Sequence, residues 1–266
     1  MVALVDADSL IYKSGFTFEE KFSWNQLELE LGIDEVPEEY VDSDFLLSKN
    51  AIDGIIENIL FNTGCDEVEL WLSQGDNFRY EVYSDYKHNR KSSRKPIEFN
   101  KLFQYLVDHY GAKVATGYEA DDVVVYKKTK YPEDYFLCAI DKDVLLQTEG
   151  THYNYNKDEF IEVSQDEAER FFYFQTLAGD VTDGYPGCKG IGKVKANKIL
   201  DEVALDDGDD YWQAVVTTYE SKGLTEEFAL GQARCASMHQ LYEDNEGNYG
   251  IHLWAPPKTT ITPTEP

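Results

Sequence analysis

VALVD, residues 2–6, is a short apolar run that stops on an acid, and reading it decides the fold. The same design recurs in EVELWLSQGD, residues 67–76, and in YFLCAID, residues 135–141. Each is too short for a buried helix and too apolar for a loop, so each reads as a buried strand ending in a carboxylate. Open α/β sheets bind their ligands just outside the carboxyl ends of such strands. Between the runs lie segments of helical character, and strands alternating with helices predict an α/β fold on a parallel or mostly parallel sheet flanked by helices.

Working outward from these strands, a helix or turn is expected through Ser9–Lys13, followed by an acidic insertion to about Val41. Ser43 or Asp44 is placed to cap a helix running to Asn62, closed by Thr63-Gly64. The strand at 67–72 leads into a basic, aperiodic segment that ends at Pro96, a residue suited to a first helical turn. Phe99, Leu102, Phe103, Leu106 and Tyr110 then fall on one helical stripe, and Gly111 ends it. A short strand at 112–115, a helix from about Glu119, a strand at 135–140, a short helix after Asp143 and a strand near 151–155 complete the first part. From Ser164 the pattern is mainly helical, with a last apolar run at 250–254 and a Pro/Thr-rich tail expected to be disordered. There is no internal repeat.

The chain has 266 residues, 42% of them hydrophobic, enough for one substantial core with a helical lobe. No run approaches 18 consecutive apolar residues, and MVALVDADSL lacks the marks of a signal peptide, so a cytoplasmic setting is expected, with no membrane association. The four cysteines, Cys65, Cys138, Cys188 and Cys235, are widely spaced in apolar surroundings and read as reduced packing thiols. No histidine pair has zinc-site spacing, so soft-metal chemistry is not expected.

Acids number 51, which makes some clustering inevitable. Placement distinguishes five groups: Asp6 with Asp8; Asp76; Glu119, Asp121 and Asp122; Asp141 with Asp143; and Asp180 with Asp183. In YEADDVVVYKK the three acids converge at a helix start, where the dipole favours negative charge, although acids in a first turn are also ordinary helix dressing. Asp141 and Asp143 are expected on the same side of a strand end by its period of two. Asp180 and Asp183 precede a Gly/Pro turn and, like the previous pair, could serve as turn or capping devices. Taken together, the groups would repel one another without cations. Carboxylate oxygens are the ligands of hard divalent ions. Two such ions about 4 Å apart would ionise a water and clamp an in-line phosphoryl displacement, which implies phosphodiester hydrolysis.

The formal charge of −27 argues against a polyanionic partner until its distribution is considered. Residues 86–95 carry Lys87, Arg90, Lys91, Arg94 and Lys95 with no acid, and residues 187–198 carry Lys189, Lys193, Lys195 and Lys198 with none. In GCKGIGKVKANKI, a glycine-rich hairpin opens a helix near Gly192, so backbone N–H groups can approach phosphates while the lysines extend the contact. The first island is too polar for a core, and its cations could steer a phosphate toward metals, or simply form a solvated loop.

The ordered set VDADSLIY, QGDNFR, DYKHNR, EADDVV, IDKDV and GDVTDGYPGCKGIGKVKA resembles the 5′-nuclease superfamily of flap endonucleases, polymerase 5′-nuclease domains and phage 5′→3′ exonucleases. DYKHNRKSSRKP, GDVTDGY and the C-terminal GLTEE, GQARCASMHQLYE and IHLWAP are similar to the exonucleases of small podophages. The resemblance implies a PIN-like core over residues 1–163 with a helical arch at about 78–97, and a helical region from 164 with a helix–hairpin–helix at about 174–203. It assigns Asp6, Asp76, Glu119, Asp121 and Asp122 to a first metal cluster. Asp141, Asp143, Asp180 and Asp183 go to a second, some through water, with two Mg²⁺ or Mn²⁺ ions. Lys87 and Arg90 correspond to arch residues acting on the scissile phosphate. Tyr12 stands where the family stacks an aromatic on the terminal base; an ordinary core tyrosine is the alternative. Lys91, Lys189, Gly190, Gly192, Lys193 and Lys195 are expected on DNA, and the family's hairpin also holds a monovalent ion such as K⁺ on backbone carbonyls. Asp8 has no counterpart and reads as a supporting or capping residue.

The activity implied is a metal-dependent 5′→3′ exonuclease on double-stranded DNA with a 5′ end, nick or flap. Flap cleavage and RNA-primer removal from RNA–DNA hybrids would accompany it, in phage replication or recombination within a bacterial host cytoplasm. No sliding-clamp peptide is recognisable, and protein partners are not implied. The alternatives are a PIN-type ribonuclease, disfavoured by the hairpin at 187–192, and a non-catalytic DNA-binding protein or acidic DNA mimic, disfavoured by the intact acids and the basic islands.

Overall fold

The computed structural model describes residues 1–23, 39–203 and 211–257. The chain divides into two compact units, residues 1–76 with 93–163, and residues 77–92 with 164 onward. No helix among the described residues is long and apolar enough to cross a membrane.

The first unit is built on a six-stranded sheet of order β5-β4-β1-β6-β7-β8. Its strands are β1 (Val2–Asp6), β4 (Glu67–Asn77), β5 (Lys113–Gly117), β6 (Tyr135–Cys138), β7 (Gly150–Asn154) and β8 (Glu159–Val163). β1 pairs in parallel with β4 on one side and β6 on the other, and β6 pairs in parallel with β7. A strand paired on both edges and covered on both faces must be apolar throughout, and Ala3, Leu4 and Val5 are fully buried. Because β1 comes first in the chain yet sits between β4 and β6, the sheet winds away from it in both directions. The carboxyl end of β1 is therefore a switch point.

Helices α1 (Asp8–Thr17), α2 (Phe45–Thr63) and α4 (Phe99–Tyr110) bring Leu10, Ile11, Ile52, Ile56, Ile59, Leu102 and Leu106 into one core with Val5, Leu70 and Leu72. Each such aliphatic side chain adds roughly 1.5–3 kcal/mol by leaving water. The start of α2 is set by Asp44, whose carboxylate accepts the Leu47 N–H at 3.0 Å, and its end by Gly64 at φ 65°. α5 (Ala120–Lys130) and the short α6 (Lys142–Leu146) follow β5 and β6.

Four details of the fold are added or corrected. β4 continues five residues past Leu72, carried through Gly75 at φ 82°. Asp141 and Asp143 do not share a strand end, because Asp141 caps α6 and Asp143 lies in its first turn. The edge strand β8 adds to the expected elements; it pairs antiparallel with β7, and the sheet is mostly parallel, as expected. The acidic insertion contributes two antiparallel strands, β2 (Glu19–Ser23) and β3 (Glu39–Ser43), while its residues 24–38 lie outside the described residues, as does the tail from 258.

The second unit is mainly helical: α7 (Gln165–Ala178), α8 (Lys193–Asp201), α9 (Tyr211–Glu220) and α10 (Glu226–Ala236), with the small hairpin β9 (Leu241–Glu243) and β10 (Tyr249–Ile251). Phe172, Leu177, Trp212, Val215, Tyr219 and Ala233 share its core. The segment 77–92, where the arch was expected, contains α3 (Arg79–Val82) and a 3₁₀ turn at His88–Ser92. Arg79 ties that segment down. It is fully buried, its Nε donates to the Cys235 carbonyl at 3.1 Å, its Nη2 to the Ser237 carbonyl at 2.8 Å, and the guanidinium lies 4.7 Å from the Phe78 ring centre.

Removing the arginine leaves buried carbonyls without those donors. Arg79→Met should therefore lower the unfolding free energy by about 3 kcal/mol in urea denaturation. Arg79→Lys should recover only part of it, because one ammonium lacks the guanidinium's fork of donors. A loss below about 1 kcal/mol would mean that this arginine does not anchor the segment.

Candidate active site

At the carboxyl end of β1, Asp6 is only 7% exposed and stands opposite Trp71 in the register with β4. Its carboxylate accepts the Asp8 N–H at 3.1 Å and interacts with Asp8, Asp121 and Asp141. Those residues come from the start of α1, the start of α5 and the residue that caps α6. The sheet thus gathers acids from three chain-distant points at its switch point. Burial first, and then the neighbouring Asp8 carboxylate, push the Asp6 carboxyl up to about 8. Ser9 Oγ donates to the Asp6 carbonyl at 3.0 Å and pairs with the Tyr155 hydroxyl, which burial and nearby Asp6 push upward.

The surrounding acids are held by helix-start chemistry. Asp8 receives the Ser73 N–H at 3.1 and 3.2 Å on its two oxygens, and Ser73 Oγ receives the Ala120 N–H at 2.9 Å, so this β4 serine couples the starts of α1 and α5. Glu119 and Asp122 form a reciprocal capping box at the start of α5, with the Glu119 N–H donating to Asp122 Oδ2 at 3.1 Å. Asp141 accepts the Asp143 N–H at 2.8 Å, and Asp143, nearly buried, pairs with Lys142 at 2.6 Å. Asp76 is exposed near the end of β4, five residues past the partner of Asp6. In a straight strand that is about 16 Å further along. The sequence reading does not single out Ser73 or Tyr155; nothing marks Tyr155, whereas Ser73 is a polar residue directly after the apolar run of β4.

Asp6 and Asp141 line a cleft of about 950 Å³ whose walls include Tyr12, Lys13, Phe16, Lys142, Asn156 and Lys157. Among the described residues no group of three His, Cys, Asp or Glu side chains is drawn close enough to hold an ion as it stands. The donor chemistry nevertheless fits a hard divalent cation: oxygen donors only, and a buried carboxylate whose ionisation the neighbouring acids oppose.

In the second unit, Lys87 and Arg90 both engage Asp183. Lys87 Nζ lies 3.8 Å and Arg90 Nη2 2.6 Å from Asp183 Oδ1, and the Lys87 N–H donates to the Asp183 carbonyl at 2.7 Å. That last bond holds Lys87 at φ 50°, a left-handed conformation uncommon for lysine. Asp180 turns the loop, accepting the Thr182 N–H at 2.7 Å and bridging to Tyr185. Gly179 and Gly187 close that loop back to back; a Cβ on Gly187 would lie 2.3 Å from the Gly179 nitrogen. Gly192 is the residue before α8, Lys189 and Lys193 are exposed, and Lys195 Nζ donates to the Gly190 carbonyl at 2.9 Å. The Gly190 carbonyl thus already serves a cation. Tyr12 is 38% exposed rather than a core residue, and the Lys91 side chain lies outside the described part of the structure.

No family model matches the chain. The 5′-3′ exonuclease of Bacillus subtilis (strain 168) is 25% identical over 187 residues, 61% of this chain and 62% of the relative. The exodeoxyribonuclease of Enterobacteria phage T3 is 23% identical over 222 residues, 71% of this chain and 73% of the relative. Among solved structures, T5 5′-exonuclease with divalent zinc ions bound has a TM-score of 0.60 at 16% identity, covering 90% of each chain, and so shares the fold. The aligned region thus spans about 62% of the length of the Bacillus relative.

The raised Asp6 carboxyl gives a pH prediction. In the unfolded chain an aspartate returns to about 3.9, so without cations the contribution of Asp6 to stability is full below about pH 4 and is lost as the pH rises toward 8. Asp6→Asn cannot ionise and should gain on the wild type across that interval. Thermal midpoints in EDTA should show the difference widening by about 1 kcal/mol or more, and Mg²⁺ should narrow it by stabilising the wild type. A difference that stays constant with pH would show that neither burial nor the neighbouring carboxylates raise the Asp6 carboxyl.

Proposed function

We propose that this chain, which belongs to the 5′-nuclease superfamily, is a divalent-metal-dependent 5′→3′ exonuclease and flap endonuclease acting on DNA. Its substrate is double-stranded DNA presenting a 5′ end, nick or flap. RNA primers in RNA–DNA hybrids are removed by the same chemistry, in phage replication or recombination. The observation that carries the reading is the convergence of Asp6, Asp8, Asp121 and Asp141 at the switch point of the sheet. Relatives named as a 5′-3′ exonuclease and an exodeoxyribonuclease support it.

In this reading Asp6, Asp121 and Asp141 hold the cations, with Glu119, Asp122 and Asp143 serving them through water; Asp76, exposed further along β4, is assigned to metal by the resemblance alone. Magnesium or manganese bound there would supply an ionised water and offset charge on the scissile phosphate. Asp8 positions Ser73 and with it the start of α5. The capping box at Glu119 and Asp122 fixes the angle at which Asp121 leaves the helix, which preorganises the site before any ligand arrives. Assigning Asp180 and Asp183 to metal rests on the resemblance alone.

In the second unit the hairpin and the start of α8 bind the DNA backbone: Gly190 and Gly192 allow phosphates to approach backbone N–H groups, and Lys189 and Lys193 extend the contact. Lys195 closes the hairpin through the Gly190 carbonyl, so a monovalent ion on that carbonyl would have to displace its ammonium. Lys87 and Arg90 exchange Asp183 for a phosphate oxygen when substrate binds.

A nicked or flapped duplex labelled at its 5′ ends should release short labelled products with Mg²⁺ and none with EDTA; no metal-dependent release from the 5′ end would sink the proposal. Replacing Lys189 and Lys193 together by alanine should flatten the slope of log binding constant against log salt by about 1.8, two phosphate contacts at 0.9 each. An unchanged slope would remove both lysines from the DNA interface.

A further inference from the structure

The solvent face of α2 carries large apolar side chains that the core of the first unit does not use. Ile52, Ile56 and Ile59 turn one side of the helix into that core. Leu47, Ala51, Gly54, Asn58 and Phe61, spaced by three and four residues, form a stripe along the opposite side. Its two large members, Leu47 and Phe61, are 47% and 85% exposed. A single exposed apolar residue is ordinary. This pair differs in its register, because each lies seven residues from Gly54, on a line about 21 Å long.

Gly54 itself is out of place. It lies in the middle of a 19-residue helix, and among the described residues a Cβ there would meet nothing within 4 Å. No close approach inside the described chain therefore calls for glycine, which is the poorest helix former after proline. A missing side chain between two large ones makes a saddle, and a saddle lets a second helix come close to the backbone. None of the stripe's side chains lines the cleft at Asp6, so the face is separate from the carboxylate centre.

We propose that this face of α2 is a self-association surface, on which a second copy of the chain lays its own α2 antiparallel about a two-fold axis at Gly54. The inference is independent of the nuclease reading. Three observations choose the occupant. Turning the helix end over end about Gly54 sets Leu47 against Phe61 of the second copy at both ends of the contact. The same turn brings Asn50 level with Asn58 of the second copy and leaves the two glycines at the crossing, the self-complementarity an isologous interface requires. The charge also fits. Between Leu47 and Phe61 the stripe is bordered by one charge, Glu57, in a chain whose residues are 28% charged, so a strongly charged partner finds little to pair with. Antiparallel helices, by contrast, set the positive start of each beside the negative end of the other. The area sets the strength: Phe61 brings about 150 Å² from each copy, and one helix pair falls short of the roughly 1,200 Å² that stable complexes bury. The dimer is therefore a weak one that forms at micromolar concentrations and above.

Sedimentation equilibrium of the intact chain tests it. The weight-average mass of the wild type should rise from 30.5 kDa toward twice that value as the concentration is raised from about 1 to about 200 µM. Leu47→Lys and Phe61→Glu should each hold the mass at the monomer value. An equimolar mixture of the two variants should associate again, because only the antiparallel register puts the new ammonium against the new carboxylate while the other end keeps its native Leu–Phe pair. Gly54→Leu separates packing from folding: it should weaken association about tenfold or more while raising the thermal midpoint of the dilute monomer by about 2 °C. A wild-type mass that stays at 30.5 kDa, as it would if another protein or another part of this chain covered the face, overturns the proposal. So do variants that associate like the wild type, or a mixture that stays monomeric.

Discussion

Asp6 is a buried carboxylate surrounded by other carboxylates, and much of the first unit follows from having to support it. A charge in that position is opposed by desolvation and by its neighbours, so without a cation the protonated acid is favoured. The fold accepts this because β1 cannot move: it is hydrogen-bonded on both edges, and the three residues before Asp6 are entirely withdrawn from water. The strand must leave the sheet where its two neighbours diverge, and the first residue past the apolar run is the acid. The strain is local, and the rigidity of the central strand holds it in place.

The acids around Asp6 are anchored by the hydrogen bonds that ordinary proteins use to start helices. Asp141 is the residue before α6 and accepts its second amide, Glu119 and Asp122 close a capping box, and Asp8 takes the Ser73 N–H. A structural reading and a functional one are therefore not competitors at these positions. A carboxylate that caps a helix has one oxygen committed and its rotamer fixed, which suits a group that must present its remaining lone pairs to a cation without reorganising.

The parts of the chain legible in sequence are those where burial imposes a simple period. VALV and YFLC are unbroken because both faces of those strands are covered, and the α4 stripe is clean because one face is. Legibility fails where polar residues do structural work. EFIEV at 159–163 reads as surface because four of its five residues are at least partly exposed, yet it completes the sheet edge. Asp141 and Asp143 satisfied the period of two, but the preference of Asp for the position before a helix prevailed and Lys142 turned the chain. Arg79 reads as one more cation in a basic neighbourhood. Only the third dimension shows that it is wholly buried on the carbonyls of Cys235 and Ser237.

Net charge is a poor guide to what such a chain binds, and the reason is the range over which charge acts. At physiological salt, exposed charges further apart than about 8 Å are largely screened from one another. The formal −27 therefore slows the approach of a polyanion but does not set the contact energy. What a phosphate meets on arrival is the local population, and residues 187–198 offer lysines, glycines and a helix start without one acid. Within the first unit, too, Lys13, Lys142 and Lys157 share a cleft with Asp6 and Asp141, so cation-seeking and phosphate-seeking groups lie side by side. That pairing of opposite charges is what phosphodiester chemistry requires: oxygens to hold the metal, and ammonium groups to hold the strand whose phosphate the metal would otherwise have to attract alone.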